Sequence, residues 1–326
     1  MSSSSLLSVR GLRTWYPVRG GLMRRATGWI QAATDISFDI EPGRTLALVG
    51  ESGCGKSTVG RSILCLETPQ EGEVLFDGAD LLKLPAEELR QARQRIQIIF
   101  QDPNASLDPR MRIHDQVAEG IRSFGLASSE AEIRARVEEM IERVQLDPRS
   151  IDRYPHEFSG GQRQRIAIAR ALAVEPRLIV CDESVSALDV SIQAQILNLL
   201  SDLQRELGLS YLFITHDLSV VRYLAHEVAV MYLGEIVEEG PTEALFSNPA
   251  HPYTRGLLQA IPSVDPMQRG APPPVLGDVP SPRNPPPGCH FHTRCSEVMP
   301  RCTRDKPRLF DSPDGSRSSR CFLSEP

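Results

Sequence analysis

No uninterrupted apolar run in this 326-residue chain approaches the roughly 18–20 residues that a membrane-spanning helix needs, which argues against an integral membrane protein. An excess of basic residues is also lacking, because 36 Lys and Arg are outnumbered by 42 Asp and Glu. A protein whose main role is to bind nucleic acid needs a basic surface, so we expect no nucleic-acid partner. The N-terminus has no basic stretch before an apolar one and does not predict a secretory signal. We therefore expect a cytosolic protein whose contact with any membrane is peripheral.

Cysteine is scarce in most of the chain and concentrated at its end. Three cysteines are scattered through the first 190 residues, and the four that crowd the last 40 are Cys289, Cys295, Cys302 and Cys321. A secreted scaffold would distribute its disulfide bonds through the fold, so this pattern indicates a reduced compartment and a distinct C-terminal segment. Ten prolines within 262–287 exclude a helix or a central strand there. We expect a linker at 261–288 and a cysteine-containing segment at 289–326.

Short apolar strands alternate with helical patterns through the middle of the chain. The expected strands lie at Thr45–Val49, 177–181 and 211–215, and the expected helices at about 110–147 and 191–207. The first 50 residues contain several short strand-like runs, and a hairpin is expected around Gly234. This alternation, with several strands apolar throughout, predicts an α/β domain with a largely parallel sheet.

A glycine-rich loop follows the strand at Thr45–Val49 and fits the pattern G-x-x-x-x-G-K-[ST]. Its nine residues, which we call the phosphate loop, are Gly50, Glu51, Ser52, Gly53, Cys54, Gly55, Lys56, Ser57 and Thr58. Glycines let successive backbone N–H groups face a phosphate, and the following helix adds its positive N-terminus. Lys56 would reach the β- and γ-phosphates of a nucleotide, and the Ser57 hydroxyl would ligate Mg²⁺. The alternative is a glycine-rich turn that happens to precede a lysine.

Two adjacent carboxylates, Asp182 and Glu183, follow the apolar strand predicted at 177–181. Neighbouring side chains at a strand end can take different roles. Asp182 would hold Mg²⁺ through water, and Glu183 would polarise the hydrolytic water as a general base. Alone, this pair is more typical of a solvated strand end, but beside a phosphate loop in an α/β sheet the catalytic interpretation is favoured.

A second anion-binding surface is predicted at 158–162, immediately before a strong helical pattern. Ser159 is a favourable N-cap, and the glycines Gly160 and Gly161, followed by Gln162, leave backbone N–H groups uncovered at the positive end of the helix. The alternative is an ordinary capped helix start.

These motifs and their order resemble those of the ATP-binding subunits of ABC transporters, over about residues 6–260. In that comparison 50–58 is the Walker A motif, 178–183 is Walker B, and 158–162 is similar to the ABC signature, with Phe158 where Leu is usual. The resemblance implies a P-loop NTPase fold of the α/β class. Its mixed, largely parallel sheet would carry an antiparallel β subdomain and a helical subdomain inserted at about 102–160.

The resemblance also assigns residues outside these three motifs. Gln101 matches the glutamine that senses Mg²⁺ and the attacking water, and His216 matches the switch histidine that contacts the γ-phosphate. Tyr16 is the candidate for stacking on adenine, with neighbouring Trp15 as the alternative, and 186–189 matches the D-loop. One departure is Ser184, where many relatives have Pro. Because both carboxylates are retained, the resemblance implies ATP hydrolysis with Mg²⁺ rather than binding alone.

Members of this family work in pairs, which implies several partners. Two ATPase domains meet head to tail and hold each ATP between Walker A of one and the signature of the other, so a second ATPase subunit, identical or similar, is implied. The pair would drive two membrane permease subunits from the cytoplasmic side of the inner membrane. An extracytoplasmic substrate-binding protein would deliver cargo through the permease.

The segments 101–110 and 248–258 are similar to runs typical of the dipeptide/oligopeptide importer branch, which also includes importers of nickel complexes and of glutathione. The C-terminal extension is similar to that of the same branch, with a proline-rich linker followed by the run 288–295 and then Cys302 and Cys321. A peptide importer is therefore the first hypothesis, and a nickel-complex or glutathione importer is an alternative. A soluble ABC ATPase acting on ribosomes or DNA is a further alternative. It is disfavoured because the chain has one phosphate loop and no sustained heptads. A regulatory subunit with a dead site is disfavoured by the intact Lys56, Asp182, Glu183 and His216.

The four late cysteines are separated by five, six and eighteen residues. Structural zinc sites have tighter cysteine pairs, so zinc fits this spacing poorly. Four thiolates can ligate an iron–sulfur cluster, and the resemblance implies the possibility of a [4Fe–4S] cluster here, since some relatives carry one. Reduced cysteines without metal are the alternative. His290 and His292 are expected to be surface residues rather than ligands.

Overall fold

The computed structural model describes residues 5–20, 25–186, 188–261 and 277–326. Ala187 of the predicted D-loop and 262–276 of the predicted linker therefore lie outside the described residues. The remaining part of that linker, 277–288, contains no helix or strand. Within the described ranges no helix has the length and apolar character of a membrane span.

The described residues contain twelve strands, and helices follow most of those in the middle of the chain. The strands are β1 Leu7–Gly20, β2 Arg25–Ile40, β3 Thr45–Val49, β4 Glu71–Phe76, β5 Ala79–Asp80, β6 Ile96–Ile99, β7 Leu178–Asp182, β8 Ser210–Thr215, β9 Glu227–Tyr232, β10 Glu235–Pro241, β11 Phe310–Asp311 and β12 Ser318–Ser319. The predicted strands at Thr45–Val49, 177–181 and 211–215 correspond to β3, β7 and β8, so these predictions are confirmed to within a residue.

Ten α-helices belong to the same described residues. They are α1 Lys56–Ile63, α2 Ala86–Arg95, α3 Pro103–Ser106, α4 Ile113–Phe124, α5 Glu130–Arg143, α6 Gly160–Leu172, α7 Val190–Leu207, α8 Leu218–Leu224, α9 Thr242–Ser247 and α10 Pro252–Gln259. The helical pattern predicted at 110–147 divides into α4 and α5, because Gly125 ends α4 in the left-handed conformation (φ +65°).

Two compact units divide the chain, and the first comprises Met1–Ile40, Thr45–Leu82 and Thr215–Pro326. It contains a four-stranded antiparallel sheet in the order β2-β1-β4-β5. The prediction of several short strands before residue 50 is wrong, since β1 and β2 have 14 and 16 residues. The pairing of β1 with β2 shifts register near Gly11 (φ +54°) and at other positions of β1. Each shift interrupts the alternation of apolar and polar residues, although the strand itself continues.

The first unit also contains β3, which lies parallel to β9, and the hairpin of β9 and β10. The hairpin predicted around Gly234 is confirmed, and the turn places Leu233 and Gly234 at positive φ. β12 then pairs with β10, and β11 pairs with β12, so the C-terminal segment contributes two strands. The core of this unit includes Val49, Val230, Tyr253 and, from the C-terminal segment, Phe291.

The second unit comprises Glu41–Arg44 and Lys83–Ile214. Strand β7 lies between β6 and β8 and is parallel to both, with every residue of β7 buried. Its first four residues are apolar because both faces of the strand are covered, and the buried Asp182 ends it. Helix α4 packs against α5 and α6 through buried residues at helical spacing, such as Ile113, Val117 and Ile121.

Candidate functional site

The phosphate loop connects β3 to α1 and depends on a close backbone approach at Gly55. This residue precedes α1 with φ +106°, a conformation that side-chain-bearing residues rarely adopt. A Cβ atom at Gly55 would lie 1.8 Å from the backbone oxygen of Ala32. Only glycine fits there, so the loop is held in its curled form by a neighbouring strand.

Lys56 lies beneath this loop, with only 3% of the residue exposed. Its ammonium group donates hydrogen bonds to the backbone oxygens of Gly50, at 2.8 Å, and Glu51, at 3.0 Å. A buried ammonium requires such partners, since burial without them costs several kcal/mol. The charge predicted to meet the β- and γ-phosphates is thus placed inside the curl of the loop.

The remaining residues of the phosphate loop divide by exposure. Ser52 and Gly53 are exposed, Ser57 and Thr58 are half-buried in the first turn of α1, and Cys54 is buried. Burial raises the pKa of the Cys54 thiol, so this side chain packs as a neutral group.

The two aromatic candidates for adenine stacking, Tyr16 and Trp15, are neighbours on β1 with different surroundings. The Trp15 indole N–H donates to Thr34 at 2.9 Å, and the guanidinium of Arg13 lies 5.0 Å from the Trp15 ring centre. The Tyr16 hydroxyl lies 3.5 Å from the hydroxyl of Thr58 in the phosphate loop. The geometry therefore favours Tyr16, because Trp15 already uses its N–H and one ring face.

Glu51 is anchored by two residues that sequence reasoning missed. Its backbone N–H donates to the Tyr253 hydroxyl at 2.9 Å, and its carboxylate accepts two hydrogen bonds from Arg294, at 2.6 and 2.9 Å. Tyr253 lies in the run 248–258 that carries the family resemblance, but that resemblance does not predict its contact with Glu51. Arg294 lies in the run 288–295 of the C-terminal extension that also carries the resemblance, but this run gives no indication of a contact with Glu51, which is 243 positions away.

Within the second unit, Asp182 and Glu183 lie at the end of β7, as predicted. Asp182 is 4% exposed, whereas Glu183 is half-buried. The Gln101 side-chain amide donates to the Glu183 carboxylate at 2.8 Å, so two residues 82 positions apart are brought together. Glu183 adopts φ +46°, a strained conformation for a side-chain-bearing residue that is often found at functional sites. The Glu183 backbone N–H donates a hydrogen bond to the backbone oxygen of Ile214 at 2.9 Å, which helps to hold this conformation.

The predicted N-cap of α6 is confirmed. The Ser159 hydroxyl accepts from the Gln162 N–H at 3.3 Å, and the Gln162 side chain accepts from the Ser159 N–H at 2.9 Å, a reciprocal capping box. Gly161 has a further role, since a Cβ atom there would lie 2.5 Å from the side chain of Ile192 in α7. Phe158 is buried, and the guanidinium of Arg153 lies 4.8 Å from its ring centre.

His216 belongs to the first unit and follows β8 directly, with an exposed side chain. The next residue, Asp217, caps α8 by accepting from the Ser219 N–H at 2.9 Å. The first unit thus holds the phosphate loop, Tyr16 and His216. The second unit holds Gln101, Asp182, Glu183 and the predicted signature.

The fold gathers the four C-terminal cysteines. The Cys289 N–H donates to the Cys302 oxygen at 2.9 Å, and Cys302 and Cys321 are buried. Burial, with a contribution from the other three thiols, raises the pKa of Cys289 to about 12. Among the residues that the structure describes, however, no three His, Cys, Asp or Glu side chains are grouped so that they could hold a metal ion.

The two histidines near these cysteines are less exposed than the sequence predicts. The His290 side chain is 13% exposed, and its Nδ1 lies 3.7 Å from the Glu235 carboxylate. Nδ1 of His292 lies 2.8 Å from the backbone oxygen of Cys289. The expectation of a surface position is therefore wrong for His290, because the C-terminal segment folds back onto β10.

Comparison with known proteins places the chain in a family. The family model described as ABC transporter matches residues 33–186, and the one described as oligopeptide/dipeptide transporter, C-terminal region, matches 237–302. A peptide import ATP-binding protein of Brucella ovis is 52% identical over 95% of each chain. The dipeptide transport ATP-binding protein DppF of Haemophilus influenzae is 49% identical over 98% of this chain and 97% of its own. A dimeric ATP-binding cassette, MJ0796, in a post-hydrolysis state with ADP and Pi, has a TM-score of 0.64 and 32% identity, covering 72% of this chain and 98% of that one.

An α/β scaffold with a phosphate loop and a strand that ends in two carboxylates is typical of an ATP-binding cassette. The identity with its relatives shows that this chain belongs to the ABC transporter family. Its enzymatic class is that of an ATP hydrolase coupled to transport. Within that family, it belongs to the group of ATP-binding proteins that carry the oligopeptide/dipeptide transporter C-terminal region.

Proposed function

We propose that this chain is the ATP-hydrolysing subunit of an importer for dipeptides or oligopeptides. The observation that carries the proposal is the identity of about half of the residues with a dipeptide transport ATP-binding protein, extending over 98% of this chain. The match of the C-terminal region to the peptide transporter model supports the same cargo class. No observation favours the nickel-complex, glutathione, ribosome or DNA alternatives.

The proposed roles of the first unit concern nucleotide binding. The backbone N–H groups of the phosphate loop and the Lys56 ammonium would bind the phosphates, and Tyr16 would stack on adenine. His216 would contact the γ-phosphate. The buried position of Lys56 and the contact of Tyr16 with Thr58 support this assignment.

The proposed roles of the second unit concern the attacking water. Glu183 would accept its proton, and Gln101 would orient the Glu183 carboxylate, which the 2.8 Å hydrogen bond between them supports. Gln101 and Asp182 offer the amide and carboxylate oxygens that Mg²⁺ prefers, and Ser57 of the first unit offers its hydroxyl. When bound, the ion would neutralise charge on the β- and γ-phosphates.

The signature residues Ser159, Gly160, Gly161 and Gln162 would bind the ATP of a second ATPase subunit, identical or similar to this one. The N-terminus of α6, a helix of 13 residues, offers the positive end that a phosphate requires. The dimeric state of a related cassette supports this arrangement.

The proposed assembly lies on the cytoplasmic face of the inner membrane. Two permease subunits would receive the motion of the ATPase pair, and an extracytoplasmic binding protein would deliver peptide to them. We also propose the predicted domain boundaries: an ATPase domain at 6–260 with a helical subdomain at about 102–160, a linker at 261–288 and a cysteine-containing segment at 289–326.

Purification from native membranes in a mild detergent tests this assembly, with every co-purifying chain identified by mass spectrometry. We expect two membrane permeases and an ATPase partner, or a second copy of this chain. Recovery of ribosomal or chromosomal proteins without any permease would contradict the proposal. A cargo other than peptide, found by transport assay of the purified complex, would contradict only the cargo class.

We further propose that the four C-terminal thiols hold a [4Fe–4S] cluster, which requires their side chains to move closer together than they are in this structure. The number of free cysteines in this segment supports this, as does the 2.9 Å backbone hydrogen bond that brings Cys289 next to Cys302. Protein purified without oxygen should then show broad visible absorbance and about four irons per chain. Cys295→Ser should lose iron, whereas the control Cys65→Ser, outside this group, should retain it. A colourless, iron-free anaerobic sample would contradict the cluster.

A further inference from the structure

The phosphate loop is tied to the C-terminal part of the chain at one residue, Glu51. The Glu51 carbonyl accepts from Lys56 within the loop, whereas its N–H is bonded to Tyr253 in α10 and its carboxylate to Arg294. Two of these three partners, Tyr253 and Arg294, belong to the C-terminal region 237–302 that matches the oligopeptide/dipeptide transporter model. The first peptides of the loop are therefore fixed by residues that lie outside the ATPase motifs.

Arg294 is itself rigidly held. Its side chain is 5% exposed, against 28% for the Glu51 side chain, and its guanidinium lies 5.8 Å from the ring centre of Tyr232. Phe291, three residues earlier, packs on two tyrosine rings. Its ring centre lies 5.2 Å from that of Tyr232 and 5.3 Å from that of Tyr253. The Arg294 N–H donates to the Phe291 oxygen at 2.9 Å. The turn that carries Arg294 is thus packed on the same aromatic residues that support the loop.

The pair of Arg294 and Glu51 has the geometry of a strong interaction. Two parallel hydrogen bonds, at 2.6 and 2.9 Å, join the guanidinium to both carboxylate oxygens. Such a bidentate pair fixes orientation as well as charge, which a lysine cannot reproduce. Without Arg294, an uncompensated carboxylate would remain within the loop, where it would repel the phosphates of a nucleotide.

We propose that Arg294 is a positioning residue for ATP binding, acting through Glu51. It neutralises the carboxylate and holds the first peptides of the phosphate loop in their phosphate-binding form. This inference rests on the proposed role of the loop in binding ATP. It assigns to the C-terminal segment an effect on nucleotide affinity, in addition to its contribution of strands β11 and β12.

The test is a double-mutant cycle in the full-length chain, with the dissociation constant of ATP measured by calorimetry. Arg294→Gln should weaken ATP binding by at least about tenfold, because a charge pair is lost and a carboxylate is exposed to the phosphates. Arg294→Gln combined with Glu51→Gln should recover most of the lost affinity, since no unpaired carboxylate remains. Arg294→Lys should lie between wild type and Arg294→Gln. In steady-state assays the loss should appear in KM for ATP rather than in kcat.

Arg301→Gln is the matched control, since Arg301 pairs with Glu325 on the surface of the same C-terminal segment. It should bind ATP like the wild type. Wild-type affinity in Arg294→Gln would overturn the inference, and so would a double variant as weak as Arg294→Gln, because that result indicates a structural defect. If Arg294→Gln fails to fold, the test uses Arg294→Lys instead. A KM for ATP in that variant equal to the wild-type value would overturn the inference. Absence of ATP binding in the wild type would instead overturn the proposed function, and this inference with it.

Discussion

Glu183→Gln is expected to lower ATP turnover by about 10²–10⁴-fold, the range that a general base contributes. Glutamine preserves the size of the side chain but cannot accept a proton from water, so binding of ATP should be nearly unchanged. Gln101, which donates to the Glu183 carboxylate at 2.8 Å, can also donate to the amide oxygen of the new side chain. Phosphate release measures turnover, and size-exclusion chromatography with ATP should show an enriched dimer, since the ATP that closes it is not consumed.

Glu175→Gln is the matched control for this substitution. Glu175 shares the positive φ of Glu183, at +56° against +46°, but its exposed carboxylate pairs with Arg136. The control should hydrolyse ATP at the wild-type rate, because exposed ion pairs contribute little. Unimpaired turnover in Glu183→Gln would contradict the assignment of Glu183 as the general base.

Gly55→Ala is expected to abolish measurable ATP binding. The new methyl group would lie 1.8 Å from the Ala32 backbone oxygen, and rotation of a side chain cannot relieve a clash with backbone. Either the loop or β2 must move, and the phosphate-binding N–H groups of the loop would lose their alignment. The φ of +106° adds strain of about 1–3 kcal/mol. Calorimetric titration with ATP measures the loss, and thermal unfolding should show a lower melting temperature.

Gly78→Ala separates the clash from the strain. Gly78 has φ +81°, and a Cβ atom there would meet no atom within 4 Å. This control should lower the melting temperature modestly and leave ATP binding intact. If Gly55→Ala bound ATP as well as Gly78→Ala does, the close approach to Ala32 would have no part in shaping the loop.

The sequence predicts the elements whose signals are local. Strand β3 is predicted with its bounds, the Ser159 cap is predicted from its residue type, and the two carboxylates are predicted at the end of β7. Each depends on neighbours within a few residues, which the sequence displays directly. Bulges obscured β1 and β2, because a single shift of register interrupts the alternation that identifies a strand.

Long-range contacts could not be predicted from the sequence. Nothing around Arg294 indicates that it meets Glu51, and the two-residue strands β11 and β12 are too short to show a pattern. The packing of Ile192 against Gly161 likewise depends on where two helices meet, so the sequence indicates only an anion-binding role for the glycine pair. The contact of Gln101 with Glu183 is predictable in part. The family resemblance identifies both residues as functional but does not predict the hydrogen bond between them.

Transport by the purified importer complex, reconstituted in proteoliposomes, tests most directly whether ATP hydrolysis by this chain drives uptake. Peptide accumulation and phosphate release are measured together, with wild type and with Glu183→Gln. We expect uptake only when ATP is present on the side of this chain, and loss of both signals in the variant. Peptide uptake at full rate without consumption of ATP would contradict the account.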